Sequence, residues 1–255
     1  MAIASNAALE FIRPIWDAPV HVQAAVTLRA GGVSRAGCSS LNLADHVGDD
    51  PTAVQLNRER LAEALRLPSA PRWLNQVHGT EIVDADDGID PVRADAAWTQ
   101  TLGTVCAVLT ADCLPVLLTD RAGSQVAAVH AGWRGMCEGI IERSVARFVS
   151  AGTAPRDILA WLGPAISSSN YEVDAPVRDA FVNRDAAFAT SFALSRPGHW
   201  QFDLYATATR ILASLGVARI SGGDHCTYAD QRLFSYRRDR DCGRQATLIW
   251  LTDGN

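Results

Sequence analysis

Residues 105–135 read VCAVLTADCLPVLLTDRAGSQVAAVHAGWRG, and this stretch decides the architecture of the chain. It holds three apolar runs of strand length, near residues 105–110, 116–119 and 125–130, separated by short polar segments. Apolar runs bounded by turn residues are typical of buried β-strands. Residues 120–124 (DRAGS) therefore predict a hairpin, and Gly132 and Gly135 predict a sharp turn into a helix that continues to about Phe148.

The flanking sequence adds further strands and helices. Alternating apolar residues over positions 20–28 predict a strand with one buried face, and Asp50 followed by Pro51 predicts the start of a helix that ends before Pro68. Strands are also expected near residues 158–162, 217–221 and 246–251, and helices near 174–183 and 204–215. With no repeat or linker in between, we interpret residues 1–255 as a single α/β domain with a mixed sheet and helices on both faces.

Composition excludes several classes of protein. The 255 residues carry a net charge of -5, whereas nucleic-acid binders usually have a basic excess. No apolar stretch approaches the roughly 20 residues of a membrane span, and no signal peptide is evident. The six cysteines include no C-x-x-C pair, which favours free thiols or metal ligands over a disulfide framework. We therefore expect a cytoplasmic protein without nucleic-acid or membrane partners.

Three predicted strand ends carry reactive side chains: His78 in NQVHG, Cys113 in TADCLP and His130 in HAGWRG. Two imidazoles and one thiolate are an ordinary ligand set for catalytic zinc, which keeps one position open for water. The same residues could instead provide a cysteine nucleophile with a histidine base, or have unrelated structural roles. Their spacing alone does not separate these alternatives.

Other polar residues are candidates for substrate contacts. Either the turn at residues 131–135 lets backbone amides and Arg134 approach a phosphate or carboxylate, or its glycines serve only the turn. Arg29 and Asn42 lie in a Gly- and Ser-rich loop segment and are further candidates. Asp112 is either a proton shuttle or a residue that orients its turn, and Arg237 is more simply a solvated side chain at a strand end.

Many segments in order along the chain are similar to the YfiH family, also called the laccase-domain family. They are RAGGVS (29–34), SLNL (40–43), HVGDDP (46–51), NQVHG (75–79), TADCLP (110–115), HAGWRG (130–135), LGP (162–164), CT (226–227), FSYRRD (234–239) and GR (243–244). The resemblance covers about residues 20–251. It implies a three-layer α/β/α domain with a mixed sheet, related to a group of Cys–His hydrolases. It also implies that His78, Cys113 and His130 bind zinc.

The resemblance further implies activity on purine nucleosides. The expected reactions are phosphorolysis of adenosine, inosine, guanosine or S-methyl-5'-thioadenosine, and deamination of adenosine to inosine, so the expected partners are a nucleoside and phosphate. One bacterial branch resembles a Cys/His amide hydrolase that edits peptidoglycan precursors, which is an alternative. A non-catalytic zinc module is another, and it would need a fourth ligand such as His225 or Cys226. Copper-dependent polyphenol oxidase activity is a further alternative, because copper at the same three residues is chemically possible, although the six histidines form no H-x-H motif of a multicopper oxidase.

Overall fold

The computed structural model describes residues 9–87 and 92–254. Its strands are β1 (Phe11–Ile12), β2 (Val22–Thr27), β3 (Leu74–Asn75), β4 (Ile82–Asp84), β5 (Val92–Arg93), β6 (Ala96–Thr99), β7 (Val105–Thr110), β8 (Leu114–Asp120), β9 (Val126–Ala131), β10 (Ile158–Leu162), β11 (Glu172–Asp174), β12 (Phe192–Arg196), β13 (His199–Phe202), β14 (Arg219–Gly222) and β15 (Gln245–Leu251). Its α-helices are α1 (Pro51–Leu65), α2 (Trp133–Glu138), α3 (Ile140–Ser150), α4 (Ala175–Arg184), α5 (Leu204–Ser214) and α6 (Tyr236–Asp239).

The first large sheet has the order β1-β2-β15-β7 and is antiparallel throughout. Side chains on successive strand residues point to opposite faces, and both faces of this sheet are buried. On one face, Ala107 and Leu248 pack against α1 through Leu61 and Leu65. The helix begins as predicted, because the Asp50 side chain accepts a hydrogen bond from the Thr52 amide.

The second large sheet is mixed and has the order β14-β10-β8-β9-β6-β4. Strand β10 is parallel to β14 and β4 is parallel to β6, while the other neighbours are antiparallel. Strands β8 and β9 pair around the turn expected at residues 120–124. One face of this sheet is covered by α3, α4 and α5, whose apolar residues include Phe148, Phe181 and Ile211.

The two large sheets pack face to face. Val108 and Ile249 of the first sheet share one buried cluster with Leu117 and Ala128 of the second. The order of layers is therefore helix, sheet, sheet, helices. The mixed α/β class is confirmed, but two sheets fill the middle of the stack instead of the single mixed sheet of the three-layer interpretation. Strands buried on both faces are nearly continuously apolar, so their sequences carry no sign of which sheet they join.

The helix expected to run from the Gly132 turn to about Phe148 is two helices. Gly139 separates α2 from α3 and has φ +102°, a left-handed conformation that glycine adopts without a Cβ clash. A third, small sheet of order β11-β13-β12 was not predicted as a unit. Within residues 9–87 and 92–254, no helix has the length and apolarity needed to cross a membrane.

Candidate metal centre

Two loops and the end of one strand bring His78, Cys113 and His130 together. Cys113 lies between β7 and β8, His130 is the penultimate residue of β9, and His78 follows β3. Their ligand atoms all lie within 4.8 Å of one another, and Cys113 Sγ is 3.7 Å from His78 Nε2. The structure therefore assembles the three strand-end residues that sequence spacing alone could not connect.

The loop that carries His78 is held by side-chain hydrogen bonds to its neighbours. The amide group of Gln76 donates to the Leu109 carbonyl at 2.8 Å and accepts from the Leu109 amide at 2.7 Å, which fastens the loop to the end of β7. His78 itself has a positive φ of 60°, an uncommon conformation for a residue with a side chain. A residue keeps such a backbone conformation where the surrounding contacts impose it, and residues of this kind are common at functional sites.

Asp95 connects the two histidines and was not predicted from the sequence. Its fully buried carboxylate lies 2.8 Å from His130 Nδ1 and accepts hydrogen bonds from the amides of Val77, His78 and Gly79 at 3.2, 2.9 and 2.7 Å. Burial would raise the pKa of Asp95, but the hydrogen bond and charge of His130, together with the amides of Gly79 and Val77, bring it below its ordinary value. An ionised carboxylate behind a histidine fixes the proton on Nδ1 and leaves Nε2 free to bind a metal.

The electrostatics of Cys113 and His130 favour a thiolate in the metal-free protein. Burial raises the pKa of the Cys113 thiol, but the charge and hydrogen bonding of His130, followed by those of His78, lower it to about 6. Burial lowers the pKa of His130, whereas the charge of Cys113 and the hydrogen bond to Asp95 raise it to about 9. A thiolate is the form of cysteine that binds metals and attacks electrophiles.

The glycines of the HAGWRG turn allow this close packing. A Cβ on Gly132 would lie 2.8 Å from His78 Cδ2 and 3.1 Å from Cys113 Sγ. A Cβ on Gly135 would lie 2.7 Å from the carbonyl oxygen of Gly79. The contacts of 2.8 and 2.7 Å are too short for real Cβ atoms, so glycine at these two positions is explained by the close approach of the segments around the three candidate ligands.

The cluster opens into a cavity of about 560 Å³. Apolar and aromatic side chains form much of its wall: Leu109, Trp133, Ile166, Tyr171, Leu204 and Tyr236. Three guanidinium groups, of Arg237, Arg240 and Arg244, line it as well. A concave site with apolar walls and a few converging polar groups is typical of a small-molecule site.

Asp112 also lines the cavity, and its contacts agree with the turn-orienting alternative. Its two carboxylate oxygens accept hydrogen bonds from Thr227 Oγ1 and from the Arg237 amide, each at 2.6 Å. It has φ 94° and is 8% exposed. Asp112 therefore ties the C-terminal segment that carries the arginines to the loop that carries Cys113.

The three predicted substrate-contact residues do not line the cavity. Arg29 pairs with Asp239 at 3.3 Å, and the buried Asn42 accepts a hydrogen bond from the Arg244 amide at 3.0 Å. Both residues therefore contact the segment of residues 237–244, which carries the three arginines of the cavity. Arg134 is exposed and stacks on Trp133, with its guanidinium carbon 4.5 Å from the ring centroid.

A second groove of about 940 Å³ lies beside α5 and β14 and holds His225 and Cys226. Cys226 Sγ accepts a hydrogen bond from Ser167 Oγ at 3.0 Å. In the part of the chain that the structure describes, neither residue joins the three candidate ligands, and no other histidine, cysteine or carboxylate does so. The donor set therefore fits catalytic zinc, with three protein ligands and an open position.

Comparisons with known proteins agree with this fold. A family profile described as "Multi-copper polyphenol oxidoreductase laccase" matches residues 23–252. A Shigella flexneri protein named purine nucleoside phosphorylase YfiH is 48% identical over 244 residues, which are 95% of this chain and 99% of that protein. A purine nucleoside phosphorylase of Pseudomonas aeruginosa is 47% identical over 245 residues, with the same two coverages.

Solved structures give the same result. A Neisseria meningitidis protein described as DUF152 superposes with a TM-score of 0.91 at 45% identity, covering 95% of this chain and 99% of its own. YlmD from Geobacillus stearothermophilus superposes with a TM-score of 0.84 at 31% identity, covering 92% and 93%. On the family profile, the sequence identities and the shared fold, the chain belongs to the YfiH, or laccase-domain, family.

Proposed function

We propose that this protein is a zinc-dependent purine nucleoside phosphorylase, with zinc held by His78, Cys113 and His130. The observation that carries the proposal is the convergence of these three side chains at the wall of a cavity that has both apolar and charged lining residues. The names of relatives at 48% and 47% identity support a purine nucleoside as the substrate. All six cysteines are free thiols, which supports a location in the cytoplasm.

The choice of zinc over copper rests on the donor set. Imidazole and thiolate ligands suit both metals, but two histidines, one cysteine and an open fourth position are typical of catalytic zinc. A multicopper cluster would require many more histidines in paired motifs, whereas the chain has six, none of them in an H-x-H pair. Zinc bound here would supply Lewis-acid activation at its open position.

The residues of the chain would then bind and orient the nucleoside. Trp133 and Tyr171 offer aromatic surfaces for a flat purine, and Leu109 and Ile166 exclude water around it. The carboxylate of Asp95 holds His130 in one orientation while its hydrogen bonds to the backbone place His78. We propose phosphorolysis of adenosine, inosine, guanosine or S-methyl-5'-thioadenosine, with deamination of adenosine as a second reaction at the same site. Arg29, Asn42 and Arg134 stay predictions as direct substrate contacts.

One observation favours a second candidate function, amide hydrolysis. Cys113, His130 and Asp95 form a continuous arrangement of thiol, imidazole and carboxylate, with the carboxylate on the far side of the imidazole. A cysteine nucleophile activated by a histidine base uses the same order of groups. In this alternative the substrate would be an amide-linked peptidoglycan precursor, and bound zinc would inhibit the reaction by occupying the thiolate.

Two assays on protein of known metal content separate the two functions. Protein of measured metal content is incubated with adenosine or inosine, with and without phosphate, and the products are separated by chromatography. Free base that appears only with phosphate, and not with Cys113→Ala, supports phosphorolysis, while inosine from adenosine supports deamination. Cys137→Ala, which removes a half-buried thiol of α2 outside the cavity lining, is the matched control and should behave as wild type. If zinc-loaded protein consumes no nucleoside and metal-free protein hydrolyses muramyl peptides, amide hydrolysis replaces phosphorolysis.

A further inference from the structure

The cavity has a positively charged wall formed by Arg237, Arg240 and Arg244. Among the described residues, none of these three forms an ion pair with a carboxylate. Neighbouring arginines of the same segment do, since Arg232 pairs with Asp230 at 2.7 Å and Arg238 with Asp239 at 2.8 Å. Three guanidinium charges that have no ion-pair partner in the described part of the chain therefore line one cavity. We call this set the arginine wall.

Two guanidinium groups of the arginine wall are fixed by backbone carbonyls. Arg237 donates to the Glu172 carbonyl at 2.9 Å and lies over the Tyr171 ring at 5.1 Å from its centroid. Arg244 donates to the carbonyls of Cys242 and Gly243 at 2.8 and 3.0 Å. A guanidinium group has five N–H donors, so each keeps donors for a ligand. Their positions are therefore set before a ligand binds, which lowers the entropic cost of binding.

Arg240 differs from the other two. Its side chain makes no hydrogen bond with any described residue and contacts the ring of Tyr236, 5.8 Å from the centroid. Arg244 lies 5.9 Å from the centroid of that ring. The nearby carboxylate of Asp112 does not neutralise the wall through an ion pair, since its oxygens accept from Thr227 Oγ1 and the backbone amide of Arg237.

We propose that the arginine wall binds a phosphate dianion. Guanidinium groups match phosphate oxygens with paired N–H donors and remain charged at all relevant pH values. The proposal rests on the proposed phosphorolysis, in which one phosphate oxygen forms a bond to C1′ of the ribose. The bond from C1′ to N9 of the purine breaks, its electron pair leaves with the base, and the base takes a proton from solvent. The arginine wall is an alternative to Arg134 and the HAGWRG turn as the place of the attacking phosphate.

Phosphate can reach this wall as the free ion or as the 5′-phosphate of a nucleotide. The first measurement is the dissociation constant of inorganic phosphate at constant ionic strength, by calorimetry. It is made for wild type and for the variants Arg237→Gln, Arg240→Gln, Arg134→Gln and Arg232→Gln. We expect Arg237→Gln and Arg240→Gln to weaken phosphate binding about tenfold or more, because each removes charge-assisted hydrogen bonds. Arg232→Gln removes the same charge from an exposed position of the same segment and should leave the constant unchanged.

Kinetics and a nucleotide distinguish the outcomes. With free phosphate as the ligand, the KM for phosphate rises about tenfold in Arg240→Gln while the KM for inosine stays within about twofold. A different result is that wild type binds adenosine 5′-monophosphate more tightly than adenosine, that Arg240→Gln removes this difference in affinity, and that its affinity for inorganic phosphate is unchanged. The arginine wall then binds the 5′-phosphate of a nucleotide and not the free ion. Wild-type affinity for both ligands in Arg237→Gln and Arg240→Gln, or a loss confined to Arg134→Gln, would overturn the proposal. Phosphate binding that depends on the arginine wall without any phosphorolysis would leave the subsite standing and contradict the proposed function.

Discussion

The carboxylate of Asp95 lies 2.8 Å from Nδ1 of His130, and the same carboxylate accepts the backbone amide of His78 at 2.9 Å. One buried charge thus determines the direction of one candidate ligand through its ring and of another through its backbone. Residues that hold metal ligands from behind commonly affect metal affinity almost as strongly as the ligands do. The site is therefore a four-residue unit in which only three residues face the cavity.

Asp95→Asn should weaken metal binding by about 10- to 100-fold, because a neutral amide no longer fixes the imidazole with an ionised oxygen. The measurement is competition for zinc with a chromophoric chelator. Asp120→Asn is the matched control, since Asp120 is 4% exposed and accepts hydrogen bonds from the Ser124 amide and Thr153 Oγ1 at a distance from the cavity. Both variants should lose about 1–3 kcal/mol of stability, and only Asp95→Asn should lose metal affinity. Equal zinc affinities in the two variants would contradict this role for Asp95.

Substituting each candidate ligand should remove the metal without unfolding the chain. We expect His78→Ala, Cys113→Ala and His130→Ala to lose bound zinc and nucleoside turnover, because two remaining ligands hold zinc weakly. The buried apolar clusters that hold the sheets and helices together contain none of these three residues, so circular dichroism should be unchanged. Metal analysis and circular dichroism of the same preparations provide the check. Unfolding of all three variants would indicate a structural site instead.

The thiol of Cys113 should be unusually reactive at mildly acidic pH in metal-free protein. Its pKa of about 6 means that alkylation by iodoacetamide rises as pH increases through about 6, whereas an ordinary thiol requires a pH near 8.5. His130→Ala should move this midpoint upward, because the charge of His130 is the main favourable influence on the thiolate. Mass spectrometry of the peptide that contains Cys113 separates it from the other thiols. A midpoint that stays above about pH 8 in wild type would rule out the thiolate.

Gly132→Ala should disturb the site more than the fold. The added Cβ would lie 2.8 Å from the His78 ring, so the loop carrying His78 must shift. Overpacking of this kind typically costs about 1–3 kcal/mol in stability. We expect the melting temperature to fall modestly and the zinc affinity to fall by more than the stability loss explains. Wild-type zinc affinity in this variant would show that the ligand geometry tolerates the added methyl group.

Local patterns account for the parts of the fold that are close in sequence. The hairpin of β8 and β9 follows from two apolar runs around a polar turn, and α1 follows from Asp50 and Pro51. The division into two sheets does not follow in this way. Val26 of β2 pairs with Thr247 of β15, which is more than two hundred residues away. The residues of neither strand indicate which strand it pairs with.

Cys113 and His130 are visible in the sequence because they follow or end an apolar strand, whereas β3 before His78 is only Leu74–Asn75. The groups that support the candidate ligands are not visible in this way. Asp95 stands 35 residues before His130 and in no recognisable motif with it. The arginine wall comes to the cavity only because Asp112 holds the Arg237 amide and Asn42 holds the Arg244 amide. An arginine near a strand end is most simply solvated, so the sequence did not indicate that Arg237 lines the cavity.

The placement of β15 between β2 and β7 has a consequence for synthesis on the ribosome. Strands β2 and β7 have no hydrogen-bonded contact with each other and share β15, which follows every other strand of the chain. Until β15 emerges from the exit tunnel, both strands present open edges that can pair with other chains. The arginine wall directly precedes β15, so it also reaches the cavity late. The complete cavity can therefore form only after β15 has been synthesised, and until then the two open edges are places where the nascent chain can pair with other strands.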